Sequence, residues 1–454
     1  ISAAAAAAGV GRPPWHGHDA HTPLDLWRQR SATAGRGRRK RAGPEGDAVA
    51  GTLFEVVARD VARRSFNGKE VVLVCTNDKA LPIAINLAAN LARLDLHHAL
   101  LLGADAKTCA LLGGAAPPAC VYSSLLTRHR RRLREYGALG MPLLWLQRWY
   151  YLHALLKLDL NALMLDADVV LFRDPYGTRL GRGASHTRTA PQLTRSCRYR
   201  YPYLKGAFAN VTMIANFDRS TPAPGKVNGG VWYFQRAAAD GPVVALLADF
   251  VGRTLALVND SSVPILRHER KRCPQFQDGA PAHRFLDDQW MLNTVLASAF
   301  LRREVYIDSC TKLDDVGRIG SDGNATTPGR LPRSTPMWEV PPTRYETPSE
   351  LGTAHPFYPP RYRLREATLT SAAGVKERAV LAPPWLLSSE SDTHAPREPP
   401  PPGQPRIGKH AAAAAAHWGA NPSPAVMVHF VCFAWPDLGG RLATMEGWGL
   451  WCAH

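Results

Sequence analysis

Two aspartates one residue apart have the spacing of a metal-binding pair. Asp166 and Asp168 directly follow the apolar residues 162–165, which we predict to form a buried parallel strand. The carboxyl ends of such strands form the ligand-binding edge of an open α/β sheet, so both carboxylates are expected at that edge. One carboxylate can bind a divalent cation while the other contacts the metal or a substrate hydroxyl group. A solvated turn after a strand is the alternative interpretation.

The residues before this pair predict a β-α-β unit. Residues 71–76 form a β-branched segment that ends at Asn77, residues 81–94 carry apolar side chains at helical spacing, and residues 99–102 predict a second strand. Asn77 is therefore expected at the same sheet edge as the aspartates. Because no G-x-G-x-x-G turn follows the first strand, a nicotinamide-dependent oxidoreductase is disfavoured.

A long apolar helix is predicted for residues 143–158, and it leads into the strand that carries the aspartates. Arg148 lies in this helix. Its guanidinium group is suited to pair with a phosphate or with the carboxylates of the site. An exposed helical arginine is the alternative interpretation.

Farther along the chain, a polar turn with two glycines precedes an aromatic and β-branched strand. Asn228, Gly229 and Gly230 come directly before residues 231–234. Glycines let a backbone approach a ligand closely, and asparagine can hydrogen-bond to sugar hydroxyl groups. A plain hairpin turn competes with this interpretation, because Asn-Gly is also a strong turn signal.

An acidic segment then begins another apolar helix. It consists of Asp287, Asp288 and Gln289. Either aspartate is suited to cap the helix and to stabilise its positive end. A role for Gln289 in ligand binding is favoured by the motifs that precede it.

In this order along the chain, the motifs resemble those of the nucleotide-diphospho-sugar transferases. They are similar to those of glycosyltransferase family 77, which includes plant and algal arabinosyl-, xylosyl- and galactosyltransferases. The resemblance covers about residues 68–310, with a last piece near residues 426–451. It implies an α/β type-A glycosyltransferase fold, a Rossmann-like nucleotide-diphospho-sugar transferase domain with a single mixed sheet flanked by helices.

The resemblance also implies a metal site. Asp166 and Asp168 would bind the ribose of the nucleotide and Mn²⁺ or Mg²⁺, which bridges the diphosphate. A histidine near the carboxyl terminus often supplies a further metal ligand in such enzymes, and His429 is similar to that element. The lysine that usually follows it is missing here, although Arg441 is a possible substitute, so a core or surface histidine is the alternative for His429.

Further site residues follow from the resemblance. Asn228 and Gly229 would line the sugar site, and Asp288 and Gln289 would lie beside the donor sugar. A UDP-sugar is the expected donor, and a polysaccharide, such as that of a cell wall, or a glycoprotein is the expected acceptor. Asn77 and Arg148 are expected near the nucleotide, where Arg148 would help to stabilise the leaving diphosphate.

The family implies retention of configuration at the anomeric carbon. A front-face displacement, in which the leaving phosphate accepts the proton of the acceptor, is one route. A covalent intermediate on Asp287 or Asp288 is the other.

Composition divides the chain of 454 residues into four segments. We expect residues 1–67, with an alanine run and a basic stretch, to be a disordered or stem region. Residues 68–320 are predicted to form the catalytic core. The proline-rich residues 321–425 are predicted to loop out of that core, and residues 426–454 to return to it.

The net charge of +17 allows other functions. It is carried largely by arginine clusters at residues 36–41 and 128–134, and such a surface attracts nucleic acid and other polyanions. A nucleic-acid-binding protein is disfavoured because the clusters lack a helix-turn-helix, zinc or aromatic strand signature. An inactive transferase-like binding protein and a hydrolase with paired carboxylates, which would need no nucleotide, are further alternatives.

Sequons and cysteines favour a secretory location. Asn210, Asn259 and Asn324 each begin an Asn-x-Ser/Thr sequon. The eight cysteines lack zinc-site spacing, and some of them can pair in an oxidising lumen. The chain begins at Ile1 and contains no apolar run long enough to span a bilayer. The resemblance implies a Golgi-lumen protein with a type II membrane anchor upstream of this sequence.

Overall fold

The structure is a computed structural model of the chain. It describes residues 24–27, 46–77, 80–104, 106–112, 119–123, 141–171, 174–176, 204–205, 208–217, 227–259, 288–301, 315–316, 329–330, 345–346, 361–362, 365–382, 386–389 and 427–429. The strands are β1 (Leu24–Trp27), β2 (Glu70–Thr76), β3 (Ala99–Gly103), β4 (Ala119–Ser123), β5 (Asn161–Leu165), β6 (Val169–Leu171), β7 (Met213–Phe217), β8 (Val227–Phe234), β9 (Asp315–Val316), β10 (Gly329–Arg330), β11 (Tyr345–Glu346), β12 (Arg361–Tyr362), β13 (Arg365–Thr370), β14 (Lys376–Leu381), β15 (Leu387–Ser389) and β16 (Met427–His429). The helices are α1 (Gly46–Arg63), α2 (Leu81–Arg93), α3 (Ala106–Leu112), α4 (Met141–Lys157), α5 (Pro242–Asn259) and α6 (Asp288–Leu301).

A mixed sheet of nine strands forms the centre of the fold, in the order β1-β4-β3-β2-β5-β8-β7-β14-β13. Strands β4, β3, β2 and β5 are parallel, whereas β8 is antiparallel to both of its neighbours. The chain order changes direction between β2 and β5, where Val74 pairs with Leu165. A crevice at the carboxyl ends of two such strands is the usual ligand site of an open α/β sheet.

Helices cover both faces of this sheet. On β2, Val71 and Leu73 point into one core with α1, α4, α5 and α6, whereas Val72 and Val74 point into a second core with α2 and α3. This alternation follows from the two-residue period of a strand that is buried on both sides. The predicted α/β architecture, a mixed sheet flanked by helices, is therefore confirmed.

The amino-terminal boundary of the core differs from the prediction. Residues 46–63, which we expected to belong to a disordered stem, form α1, and its buried face includes Phe54, Ala58 and Val61. Strand β1 pairs with β4 at the edge of the sheet. The apolar residues of α1 recur at helical spacing, and this signal was hidden by the low-complexity composition of the preceding residues.

A second correction concerns the proline-rich segment 321–425, which we expected to lie outside the core. Strand β14 pairs in parallel with β7, so that Ala379 lies opposite Met213, and β13 completes the edge of the sheet. The Glu377 carboxylate of β14 accepts hydrogen bonds from the backbone N–H groups of Ala238 and Val243, each at 2.8 Å. The latter lies in the first turn of α5, where backbone donors have no partner within the helix. The segment 365–382 is thus an integral part of the main sheet.

A small sheet in the order β15-β16-β6 brings a distant part of the chain to β5. Strand β16 is antiparallel to β6, and His429 lies opposite Val169. Val169 itself begins the strand that follows the Asp-x-Asp pair. This pairing connects the only described residues beyond 389 to the carboxyl end of β5.

A buried polar network lies at the opposite, amino-terminal end of the strands. Glu70 is fully buried and contacts Lys205 Nζ at 2.6 Å, Asn161 Nδ2 at 2.6 Å and the Tyr233 hydroxyl at 3.0 Å. Beside it is a cavity of about 310 Å³ whose wall includes Lys205, Asn161 and Gln235. Because these side chains are engaged by other protein groups, we interpret the network as part of the structural framework.

We predict that His98 makes the protein less stable in mild acid. It is almost fully buried, with Nε2 at 3.3 Å from the Tyr176 hydroxyl, and burial lowers its pKa from 6.5 to about 4. The unfolded chain binds a proton between these pH values, whereas the folded protein does not. As the pH is lowered from 6.5 to 4, protonation of His98 in the unfolded chain should therefore reduce the free energy of unfolding by roughly 3 kcal/mol.

Denaturant unfolding at several pH values checks this prediction. The His98→Gln variant should lose less stability across this interval than the unsubstituted protein, because glutamine does not titrate. His97→Gln, at the exposed neighbouring position, is the matched control and should change the fall only slightly, because His97 makes only a minor contribution to the low pKa of His98. An equal fall in all three proteins contradicts the prediction.

Candidate metal centre

Asp166, Asp168 and His429 meet at the carboxyl end of β5. Each offers one ligand atom, and these atoms all lie within 4.8 Å of one another. His429 Nε2 is 3.4 Å from Asp166 Oδ2 and 3.3 Å from Asp168 Oδ1. Asp168 and His429 are buried, whereas the Asp166 side chain is 32% exposed. Within the described part of the chain, no other group of three histidine, cysteine or acidic side chains has this arrangement.

Gly230 provides the space for the imidazole ring of His429. A Cβ atom at this glycine would lie only 2.5 Å from His429 Nε2 and 2.6 Å from Nδ1, far inside van der Waals contact. The Gly230 carbonyl also accepts a hydrogen bond of 2.7 Å from the Asp166 N–H, so the same residue fixes the start of the Asp-x-Asp segment. The close approach of backbone and ring requires glycine here.

A large bulge in β8 places the glycines at this position. Ala215 of β7 pairs with Trp232, but the next residue, Asn216, pairs with Asn228. The pairing therefore skips residues 229–231 on the β7 side. Asn228 stabilises the bulge, because its Oδ1 accepts a 2.7 Å hydrogen bond from the Gly230 N–H. Bulges of this kind are common beside functional sites, where they redirect the backbone.

The charges in this group are strongly coupled. Burial lowers the pKa of His429, but the charge of Asp168 and hydrogen bonds to both aspartates outweigh it and raise the pKa to about 9. Burial raises the pKa of Asp166, but the charge of Arg148 and the contact with His429 outweigh it and lower the pKa to about 2. In this arrangement the imidazolium ring supplies positive charge between the two carboxylates.

The donor set fits a divalent cation. Two carboxylates and one imidazole suit Mn²⁺ and other first-row divalent ions, and the carboxylates alone also suit Mg²⁺. A bound cation would supply the positive charge that the imidazolium group now provides, with His429 in its neutral form. Asp166 and Asp168, predicted from the Asp-x-Asp spacing, and His429, suggested by the resemblance, could therefore hold one cation together.

Arg148 lies on the buried side of the metal centre, next to Asp166. Its side chain is 3% exposed and pairs through Nη1 with Asp166 Oδ1 and through Nη2 with Asp288 Oδ2. Trp149 Nε1 donates a second hydrogen bond of 3.0 Å to Asp288 Oδ2. The two carboxylates raise the pKa of Arg148 although burial opposes this, so the guanidinium group stays charged. Of the predicted interpretations, pairing with the site carboxylates agrees with the structure, and an exposed helical arginine is wrong.

Gly229 lies against this ion pair. A Cβ atom there would be 2.9 Å from Arg148 Nη2 and 3.0 Å from Asp288 Oδ2. The two glycines of the bulge thus have different neighbours, since Gly230 contacts the imidazole ring and Gly229 contacts the buried salt bridge. The predicted close approach of this backbone to a ligand is, in the described residues, a close approach to charged side chains.

The remaining predicted residues occupy supporting positions. Asn228 Nδ2 donates to Gln289 Oε1 at 3.0 Å, which connects the bulge to the first turn of α6. Asn77 lies after β2, as predicted, and its Oδ1 accepts from the Ala80 N–H at 2.9 Å before α2. Asp287 lies outside the described residues, so its predicted role stays a prediction.

Three neighbours of the centre were not identified from the sequence. They are Trp149, which binds Asp288, Cys75, whose thiol pKa is raised by burial, and Asn216, which contacts His429. The only available signals were the adjacency of Trp149 to Arg148 and a polar residue inside the apolar strand β7. Neither signal indicates which partner the side chain contacts.

Neither the protein-family models nor the curated proteins contain a match to the chain. The resemblance to nucleotide-diphospho-sugar transferases therefore rests on the sequence motifs alone.

We predict that Gly230→Ala weakens Mn²⁺ binding by about tenfold or more, because the new Cβ displaces the imidazole ring of His429. Electron paramagnetic resonance of free Mn²⁺ measures the affinity. Gly241→Ala is the comparison variant and should leave the Mn²⁺ affinity unchanged, since its Cβ meets the Glu377 carboxylate, outside the metal centre.

A double-variant cycle identifies the cause of this loss. In a His429→Ala background the ring is absent, so Gly230→Ala should produce little further loss of Mn²⁺ affinity. If both substitutions weaken binding independently, displacement of His429 is not the explanation.

Proposed function

We propose that this protein is a metal-dependent glycosyltransferase that moves a sugar from a nucleotide-diphosphate sugar to a glycan or glycoprotein, with retention of configuration. The observation that carries the proposal is the group of Asp166, Asp168 and His429 at the point where the strand order changes direction. A carboxylate-imidazole metal centre in this position suits a diphosphate ligand. The finer assignment, a type-A glycosyltransferase fold with a UDP-sugar donor, is part of the proposal.

The roles of the residues follow from this geometry. Asp166, Asp168 and His429 would hold Mn²⁺ or Mg²⁺, with one of the aspartates also available to the ribose. The cation, when bound, offsets the negative charge that develops on the diphosphate leaving group. Asp288 and Gln289 would lie beside the donor sugar, at the start of α6, where a carboxylate can orient hydroxyl groups.

In this proposal Arg148 contacts the carboxylates of the site and does not contact the nucleotide. Its side chain is almost fully buried, and its two terminal nitrogens are both engaged by Asp166 and Asp288. A guanidinium group held in this way fixes the positions of two carboxylates at once. We therefore assign to Arg148 the positioning of the carboxylates, in place of direct stabilisation of the leaving phosphate.

The contacts of Asp288 favour a front-face displacement over a covalent intermediate on this residue. Its Oδ2 accepts hydrogen bonds from both Arg148 and Trp149, and the side chain is buried. These two hydrogen bonds engage the lone pairs of Oδ2 and reduce its nucleophilicity. In the front-face route the leaving phosphate takes the proton of the acceptor hydroxyl, and Asp288 only needs to orient the sugar.

The proposed location is the Golgi lumen. Cys109 of α3 and Cys120 of β4 form a disulfide, with Cα atoms 5.6 Å apart. A disulfide favours an oxidising compartment. Across the described residues, no helix has the length and apolarity needed to cross a membrane.

The first test is calorimetric titration of UDP into the purified chain, with and without Mn²⁺. We expect binding that depends on Mn²⁺ and that falls at least tenfold in an Asp166→Ala, Asp168→Ala double variant. Asp240→Ala removes an exposed carboxylate and is the control, which should bind as the unsubstituted protein does. GDP, tested in parallel, reports on the choice of nucleotide.

The outcomes separate the candidate functions. Mn²⁺-dependent binding that the double variant loses supports the transferase, and incubation with UDP-sugars and glycan acceptors then tests for transfer. A folded chain that binds neither nucleotide contradicts the proposal and favours the hydrolase or polyanion-binding alternatives.

We also predict that reduction of the disulfide destabilises the protein. The bridge closes a short loop, with a sequence separation of 11 residues, for which the loss is about 2–3 kcal/mol. A Cys109→Ala, Cys120→Ala variant should have the lower melting temperature of the reduced protein and should not respond to reductant. An unchanged melting temperature in the variant would contradict a structural role for this bridge.

A further inference from the structure

Asn216 is a buried polar residue that the proposed chemistry has not used. It lies near the end of β7, after Met213, Ile214 and Ala215, and is 1% exposed. Its amide nitrogen Nδ2 is 3.4 Å from His429 Nδ1, on the side of the ring away from the nitrogen that faces Asp166 and Asp168. Burying an amide is costly unless it forms hydrogen bonds, so its position in an apolar strand requires an explanation.

The backbone places Asn216 at the ring through the same bulge that accommodates the imidazole. Ala215 pairs with Trp232 and Asn216 with Asn228, so the register changes immediately before Asn216. Gly230, in the skipped segment, lies against the ring of His429. The imidazole is therefore held between a glycine backbone and an asparagine amide, with the two aspartates beyond it.

A histidine that binds a metal through one ring nitrogen needs a hydrogen-bond partner at the other. A neutral histidine can bind a cation through Nε2 only if that nitrogen has a lone pair, and the ring proton is then on Nδ1. A proton on Nδ1 needs an acceptor. Rotation of the Asn216 amide presents its oxygen to Nδ1, and histidine ligands generally donate their second ring N–H to such a partner.

We propose that Asn216 is a positioning residue of the metal centre, whose side-chain amide holds the Nδ1 side of His429 so that Nε2 faces Asp166 and Asp168. This inference rests on the metal site of the proposed function. It assigns to Asn216 an effect on metal affinity that a residue serving only the packing of β7 would not have.

The test is the affinity of the full chain for Mn²⁺, measured by electron paramagnetic resonance of the free ion. Asn216→Ala should weaken binding by about 10–100-fold, the range found when the hydrogen-bond partner of a metal ligand is removed. Asn216→Asp should recover most of this loss, because a carboxylate also accepts from Nδ1–H. Asn216→Leu keeps the side-chain volume and should resemble the alanine variant, which separates packing from hydrogen bonding.

A buried asparagine at the other end of the sheet provides the matched control. Asn161 donates to Glu70 and accepts from the Arg236 N–H, far along β5 from the metal centre. Asn161→Ala should lower the melting temperature and leave the Mn²⁺ affinity unchanged. This control shows whether a general loss of stability can imitate the effect of Asn216.

The added charge of Asn216→Asp is controlled in a His429→Ala background. There, neither Asn216→Ala nor Asn216→Asp should change Mn²⁺ affinity by more than about twofold if Asn216 acts through the ring. Tighter binding by the aspartate variant without His429 would show a plain charge effect and overturn the inference.

The remaining outcomes distinguish this inference from the proposed function. If the unsubstituted, folded protein does not bind Mn²⁺, the metal site and the role of Asn216 are both wrong. If it binds Mn²⁺, and the Asn216→Ala and Asn216→Leu variants both bind Mn²⁺ as tightly as the unsubstituted protein does, the metal site stands and only the role of Asn216 is overturned.

Discussion

The buried salt bridge of Arg148 with Asp166 and Asp288 is the interaction on which the site depends. It connects three separate elements, since Arg148 lies in α4, Asp166 follows β5 and Asp288 begins α6. Removing one partner of such a buried pair typically costs about 3–5 kcal/mol, because the other charge is left without compensation. The packing of α4 and α6 on the sheet and the geometry of the site are therefore not independent.

The backbone of β8 makes this concentration of charge possible. Gly229 passes close to the guanidinium group and the Asp288 carboxylate, and Gly230 passes close to the His429 ring, so a larger residue at either position would overlap with one of them. The bulge is in turn fixed by the Asn228 side chain, which contacts Gly230 and Gln289. A sequence that resembles a hairpin turn thus forms a stretch of backbone without side chains, which packs against Arg148, Asp288 and His429.

The sequence predicts the centre of the fold well because its signals are local. Residues 71–76, 81–94 and 143–158 have the periodicity of single strands and helices, and Asp166 and Asp168 follow directly from the end of a strand. Strand β14 and residue Asn216 escape prediction because their roles depend on partners far along the chain. Glu377 becomes meaningful only beside the start of α5, and Asn216 only beside His429. His429 itself was suggested by family resemblance, since nothing in its own neighbourhood predicts a partner more than 200 residues away at β6.

The balance of charge also explains why the site suits a divalent cation. Asp166, Asp168 and Asp288 contribute three carboxylates, against which stand Arg148 and, without a metal, the imidazolium form of His429. Among these five described side chains, three carboxylates then stand against two cationic groups, and an excess of negative charge in a largely buried region is unfavourable in a medium of low dielectric constant. If a divalent cation replaces the imidazolium proton, the guanidinium group and the cation together compensate all three carboxylates. A monovalent cation in the same exchange would leave the imbalance as it was, so the arrangement favours a divalent ion on electrostatic grounds alone.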